Sequence, residues 1–113
     1  MTARAAARMP VLFLGHGSPM QALEPNRHTA VWQQLGRELP RPRAILCISA
    51  HWYTRGIGVT SDARPRTVHD FYGFPPELYR CHYPVAGDPA LAARVQALLA
   101  PERIQAVAGD WGL

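Results

Sequence analysis

Residues 10–19, PVLFLGHGSP, set four consecutive apolar side chains directly against a histidine flanked by Gly15 and Gly17. A short unbroken apolar run closed by glycine is the pattern of a strand covered on both faces, as in parallel sheets. The pattern returns at 44–49, AILCIS, again with a histidine just beyond it, His51. Between the two runs, Val31, Trp32, Leu35 and Leu39 recur at helical spacing, and Pro40 and Pro42 close the segment, which predicts a helix over 27–39. If the two runs are parallel neighbours joined by that helix, His16 and His51 emerge on one edge. That edge, at the carboxyl ends of the strands, is where open α/β sheets bind ligands.

Further along, IGVTS (57–61) alternates and predicts a third strand, and RIQAV (103–107) a further short one. A helix is expected over 89–100. Asp88 can cap it, Pro89 sits in the first turn where a missing N–H costs nothing, and Pro101 follows its end. Leu91, Val95, Leu98 and Leu99 give that helix one apolar stripe. Strands alternating with helices define an α/β fold with a mostly parallel sheet and flanking helices. The segment 62–87 has no periodicity but holds Phe71, Tyr72, Phe74, Tyr79 and Tyr83, so it reads as an ordered, packed loop suited to covering a pocket.

A chain of 113 residues fits one domain, and 48% hydrophobic with 18% charged residues suits a globular protein. The net charge of +4 comes entirely from arginine among the basic side chains, and these are scattered. A nucleic-acid footprint would concentrate them on one face, so no nucleic-acid partner is expected. No segment has membrane-spanning length, and VLFL is too short for the core of a signal peptide. A cytoplasmic location with no membrane partner is the expectation. Cys47 lies inside an apolar run and reads as a small core residue, and a single Cys47–Cys81 disulfide stays open.

The histidines divide by position. Adjacent strands lie about 4.8 Å apart and metal–nitrogen bonds are about 2.0–2.1 Å, so one ion can bridge His16 and His51. The competing reading makes both hydrogen-bonded turn residues, and two ligands leave a site incomplete. His28 opens a helix and is expected to face solvent. His69 and His82 are expected to pack in the aromatic loop, with substrate contact as the alternative. Ser18 lies in no G-x-S-x-G elbow, so turn capping is its expected role, and no catalytic residue is identifiable.

Four stretches then occur in order: GHGSPM (15–20), ISAHW (48–52), HDFYGFPPELY (69–79) and YPVAGDP (83–89). Together they resemble the class III extradiol ring-cleavage dioxygenases, in particular the 4,5-DOPA dioxygenase-type branch of the superfamily that contains the protocatechuate 4,5-dioxygenase β subunit. The resemblance implies that His16 and His51 are ligands of a non-haem Fe(II) or Zn(II), one ion per complete site. It implies a catechol-type substrate, DOPA-like, whose ring is opened with incorporation of both atoms of O2. Asp70, Phe71 and Tyr72 are weaker candidates for substrate contact.

Members of that family run more than twice this length, and their remaining ligands come later in the chain. Here the closing GDWGL resembles the start of a family segment that continues DHG and carries a further functional histidine. The expectation is therefore the N-terminal portion of a catalytic domain over 9–113, incomplete relative to the full family domain, after a disordered tail over 1–8. A complementary C-terminal half or a homo-oligomer is expected to cover the edge and apolar face left open. Two alternatives remain at this stage: a non-enzymatic remnant or partner-dependent half, and a small hydrolase or anion-binding domain using the HGSP turn.

Overall fold

A computed structural model of the chain describes residues 8–109. The tail expected over 1–8 falls, apart from Arg8, outside these residues, as does most of the GDWGL stretch. The chain divides into two compact units, Met1–Arg43 and Ala44–Leu113.

In the first unit a single turn of 3-10 helix, Pro19–Ala22, precedes α1, Arg27–Glu38. Asn26 explains where α1 begins. Its side-chain carbonyl oxygen accepts from the N–H groups of His28 and Thr29 at 2.9 and 3.0 Å. Two of the four amides that a helix start leaves without a partner are thereby satisfied. Thr29 answers from the third helical position, its Oγ1 accepting from the Asn26 N–H at 2.8 Å to close a capping box. Thr29 is buried, which its hydroxyl tolerates because the Glu24 and Asn26 carbonyls are within reach as acceptors. Leu39 ends the helix in an extended conformation just before Pro40, as a residue preceding proline must.

The second unit is built on a parallel strand pair, β1 (Ile57–Thr60) and β2 (Ile104–Val107), in the register Ile57↔Ile104 to Thr60↔Val107. Parallel strands need a long crossover. It contains the one-turn helix α2 (Pro76–Tyr79) and α3 (Pro89–Leu98), and α3 packs on both strands. Asp88 Oδ1 accepts from the Leu91 N–H at 2.9 Å with Pro89 in the first turn, the start expected from the sequence. Leu78, Ala92 and Ile104 are the buried apolar residues among those described. Gln96 on α3 donates through Nε2 to the Ile104 carbonyl at 2.7 Å, tying helix to strand. Gly58 of β1 gives Trp52 room: a Cβ there would lie 3.2 Å from the indole and 3.3 Å from Val107.

The carboxyl ends of the pair are fastened together. The Ser61 N–H donates to the Val107 carbonyl at 2.9 Å, and the Gly109 N–H donates to Asp62 Oδ2 at 2.8 Å. In the crossover, Phe71 packs edge-on to Phe74 at 5.4 Å and tilted to Tyr79 at 5.1 Å, so these rings do form an ordered cluster. Tyr72 and Tyr83 stay exposed.

The α/β class with a parallel sheet and helices stands, but two expected strands do not form. Among the described residues neither 10–14 nor 44–49 belongs to a strand, so the parallel pair is 57–60 with 104–107 instead. Val11, Phe13 and Ile48 are 98%, 101% and 93% exposed, and Cys47 is exposed rather than a core residue. The physical reason is non-local. A strand's hydrogen bonds and cover both come from partner elements, and no described element supplies them to these runs. Cys47 and Cys81 are both free thiols, which closes the disulfide question.

Candidate metal centre

The GHGSP turn is specified residue by residue. Gly17 has φ +65°, a left-handed conformation that costs a Cβ-bearing residue about 1–2 kcal/mol. Ser18 then adopts an extended backbone and its Oγ accepts from the Met20 N–H at 3.2 Å, capping the 3-10 turn that Pro19 begins. Its hydroxyl serves as the cap expected from the sequence. His16 Nδ1 donates to the Gly17 carbonyl at 2.8 Å. A neutral imidazole that donates from Nδ1 carries its lone pair on Nε2, and such a carbonyl partner commonly fixes the tautomer of metal-binding histidines.

Around this turn lies an open pocket of about 180 Å³, lined by Gly15, His16, Gly17, Gln21, His28 and Trp32. Gln21 is held in place: its Oε1 accepts from Asn26 Nδ2 at 2.6 Å. The residue that caps α1 therefore also orients one wall of the His16 pocket. His28 is exposed, as expected, yet it faces this pocket rather than bulk solvent alone. The sequence carried a signal for that in the four-residue spacing of His28 and Trp32, which sets them on one helix face.

His51, in the second unit, follows a turn in which its own N–H donates to Ser49 Oγ at 3.1 Å. Its neighbour Trp52 is seated against Gly58, which anchors the segment to β1. His69 Nε2 donates to the Cys81 carbonyl at 2.8 Å, and its ring meets Phe71, Tyr79 and His82 at 5.8, 6.2 and 5.3 Å. Phe71 belongs to that cluster, whereas Asp70 and Tyr72 are exposed beside it. A larger depression of about 350 Å³, lined by Arg64, Pro65, Pro84, Val85 and Ala86, contains none of the expected site residues.

His16 has the donor chemistry of a metal ligand. Among the described residues, however, no group of three or more His, Cys, Asp or Glu comes together. Two imidazoles fall short of the three protein ligands that catalytic metal sites generally use. No described helix is long and apolar enough to cross a membrane.

The chain falls in the α/β class, with a two-stranded parallel sheet and flanking helices among the described residues. Its relatives are more specific. It is 57% identical over 107 residues to 4,5-DOPA dioxygenase extradiol of Escherichia coli, a match covering 95% of this chain and 40% of that protein. It is 39% identical over 101 residues to 4,5-DOPA dioxygenase extradiol of Beta vulgaris, covering 87% of this chain and 38% of that one. Dioxygenase tasH of Hapsidospora irregularis is 38% identical over 114 residues, 35% of its length. No family model matches. The chain is thus homologous, over nearly its whole length, to a part of the extradiol DOPA dioxygenases, an oxidoreductase family. It spans about two-fifths of the length of these curated relatives.

Proposed function

We propose that this chain carries one part of the site of an extradiol dioxygenase acting on a catechol-type, DOPA-like substrate and O2, with His16 and His51 as two ligands of its metal. The observation that carries the reading is the 57% identity to a 4,5-DOPA dioxygenase across a chain that contains both histidine motifs. The bond from His16 Nδ1 to the Gly17 carbonyl supports it, since such a carbonyl partner is what orients a metal-binding imidazole. When bound, ferrous iron would supply the redox change and the Lewis acidity for the catechol oxygens, of which zinc could supply only the second.

The chain's own contribution is positional. Gly17 and Ser18 hold the His16 turn, Ser49 and Trp52 hold the His51 turn, and the remaining ligands belong to sequence equivalent to the part of the relatives that this chain does not match. That part, or a second copy of the chain, would also cover Val11, Phe13 and Ile48. The free thiols of Cys47 and Cys81 suit a cytoplasmic setting. The hydrolase alternative gains no support, because Ser18 takes the capping role expected of it.

The test is ring cleavage of DOPA by the anaerobically Fe(II)-loaded chain, alone and co-expressed with the segment of the Escherichia coli relative that it does not match. Cleavage by the pair, lost in His16→Ala and in His51→Ala, is the expected result. No cleavage by the pair, while the intact Escherichia coli enzyme is active in the same assay, would overturn the reading and leave the non-enzymatic alternative.

A further inference from the structure

The wall of the His16 pocket that faces the histidine turn comes from α1, and nothing in the ligand set accounts for it. His28 and Trp32 stand one helical turn apart on the same face, and both line the pocket with His16. Gly15 and Gly17 also line it and add no side chain to the volume. Gln21, clamped by Asn26, closes the polar side. The space is about 180 Å³. An enclosed apolar cavity of roughly 150 Å³ accommodates benzene, so this open pocket has room for one six-membered ring.

Its chemistry also suits a hydroxylated ring. The indole of Trp32 offers an aromatic face, and the imidazole of His28 can donate to or accept from a ring oxygen whichever tautomer it holds. A purely aliphatic ligand would leave His28 and the Gln21 amide without use. A phosphate or other compact anion would leave the indole without use.

We propose that this pocket holds the aromatic ring of the catechol substrate, with Trp32 against the ring face and His28 hydrogen-bonded to a ring oxygen beside His16. The inference rests on the dioxygenase reading for the substrate class and adds the residues that position it. His28 and Trp32 are binding and positioning residues, so their loss should appear in KM with kcat little changed.

Two readouts separate the outcomes. The first is direct binding. The full chain is labelled with 5-fluorotryptophan, its resonances are assigned with Trp32→Phe and Trp52→Phe, and it is titrated with 4-nitrocatechol in the absence of metal. The Trp32 resonance should shift and that of Trp52 should not. The second is DOPA cleavage by the Fe(II)-loaded pair. His28→Ala and Trp32→Leu should each raise KM by a factor of roughly 3–10, the loss of one hydrogen bond or one stacked ring. His28→Gln should restore most of that loss. Helix content by circular dichroism guards against unfolding, and His28 is exposed enough for its truncation to leave α1 intact. Cleavage with a static Trp32 resonance and unchanged KM values overturns this inference while the dioxygenase reading stands. A Trp32 shift without cleavage by the wild-type pair upholds the ring pocket and refutes that reading.

Discussion

Replacing Asn26 by alanine removes two functions at once, because its amide caps α1 through Oδ1 and orients Gln21 through Nδ2. Loss of a side-chain cap costs about 1 kcal/mol, and loss of a half-buried side-chain hydrogen bond a comparable amount. Together these come to about 1.5–2.5 kcal/mol, a rise of roughly 10- to 70-fold in the time the first turn of α1 spends open. The cost should be local, since the residues involved all lie between Gln21 and Thr29. Native-state amide exchange followed by NMR measures it directly. The His28 and Thr29 amides should lose protection by that factor, while Leu91, capped by a different side chain, should keep its own. Asn26→Asp sharpens the test. It keeps the capping oxygen, favourably placed at the positive end of the helix, and removes only the donor to Gln21. Protection at His28 and Thr29 should fall in Asn26→Asp by no more than roughly 5-fold, the share of the bond to Gln21, whose amide can also turn its N–H to the new carboxylate. The reasoning is refuted if Asn26→Ala leaves these two amides as protected as in the wild type, or if Asp behaves like Ala.

Asp88→Ala should destabilise the second unit by about 1 kcal/mol through the lost cap at Leu91, lowering the urea midpoint with an unchanged slope. Gly17→Ala forces a side chain into the left-handed region and should cost about 1–2 kcal/mol, read as a lower Tm together with weaker divalent-metal uptake by the complemented pair. Gly58→Val puts branched carbon where Trp52 and Val107 already crowd a bare Cβ, and should cost about 1–3 kcal/mol. Faster exchange at the β1 amides would report it, and a wild-type exchange pattern would contradict the seating of Trp52.

How much of this could be read from the sequence follows the range of each interaction. α1 and α3 were legible because a helix closes its hydrogen bonds within four residues and announces its ends locally. Pro40, Asp88 and Pro89 sit where those ends require them. The segments 57–60 and 104–107 were legible as strands of a mostly parallel sheet, but their pairing with each other was not, since the partners stand 47 residues apart. The runs 10–14 and 44–49 were read as strands from their apolar character, but that character states only that they need cover, and the described chain supplies no partner. The one-turn helix at Pro76–Tyr79 was missed although Pro76 in its first turn was a usable signal.

The histidine turn at 15–19 was visible as a motif, whereas its geometry lay in backbone details: the φ of Gly17 and the bond from His16 to the carbonyl beside it. His28 is exposed as expected, and its place with Trp32 on one helix face was readable from their spacing, whereas what that face lines was not. The clamp from Asn26 to Gln21 was equally invisible, since it joins the side chains of two different elements.

The strand pair has a consequence for how the molecule is made. Ile57 and Ile104 are partners in the ladder, and the bond from Gly109 to Asp62 also spans 47 residues. At about 5–20 residues added per second, β1 waits on the ribosome for roughly 2–10 s before the other side of its ladder exists. Throughout that interval Ile57 to Thr60 has no ladder partner, and Ile45 and Ile48, made earlier, are exposed even in the folded chain. Its brevity is then protective: four residues with a glycine among them make a poor template for pairing with another nascent chain.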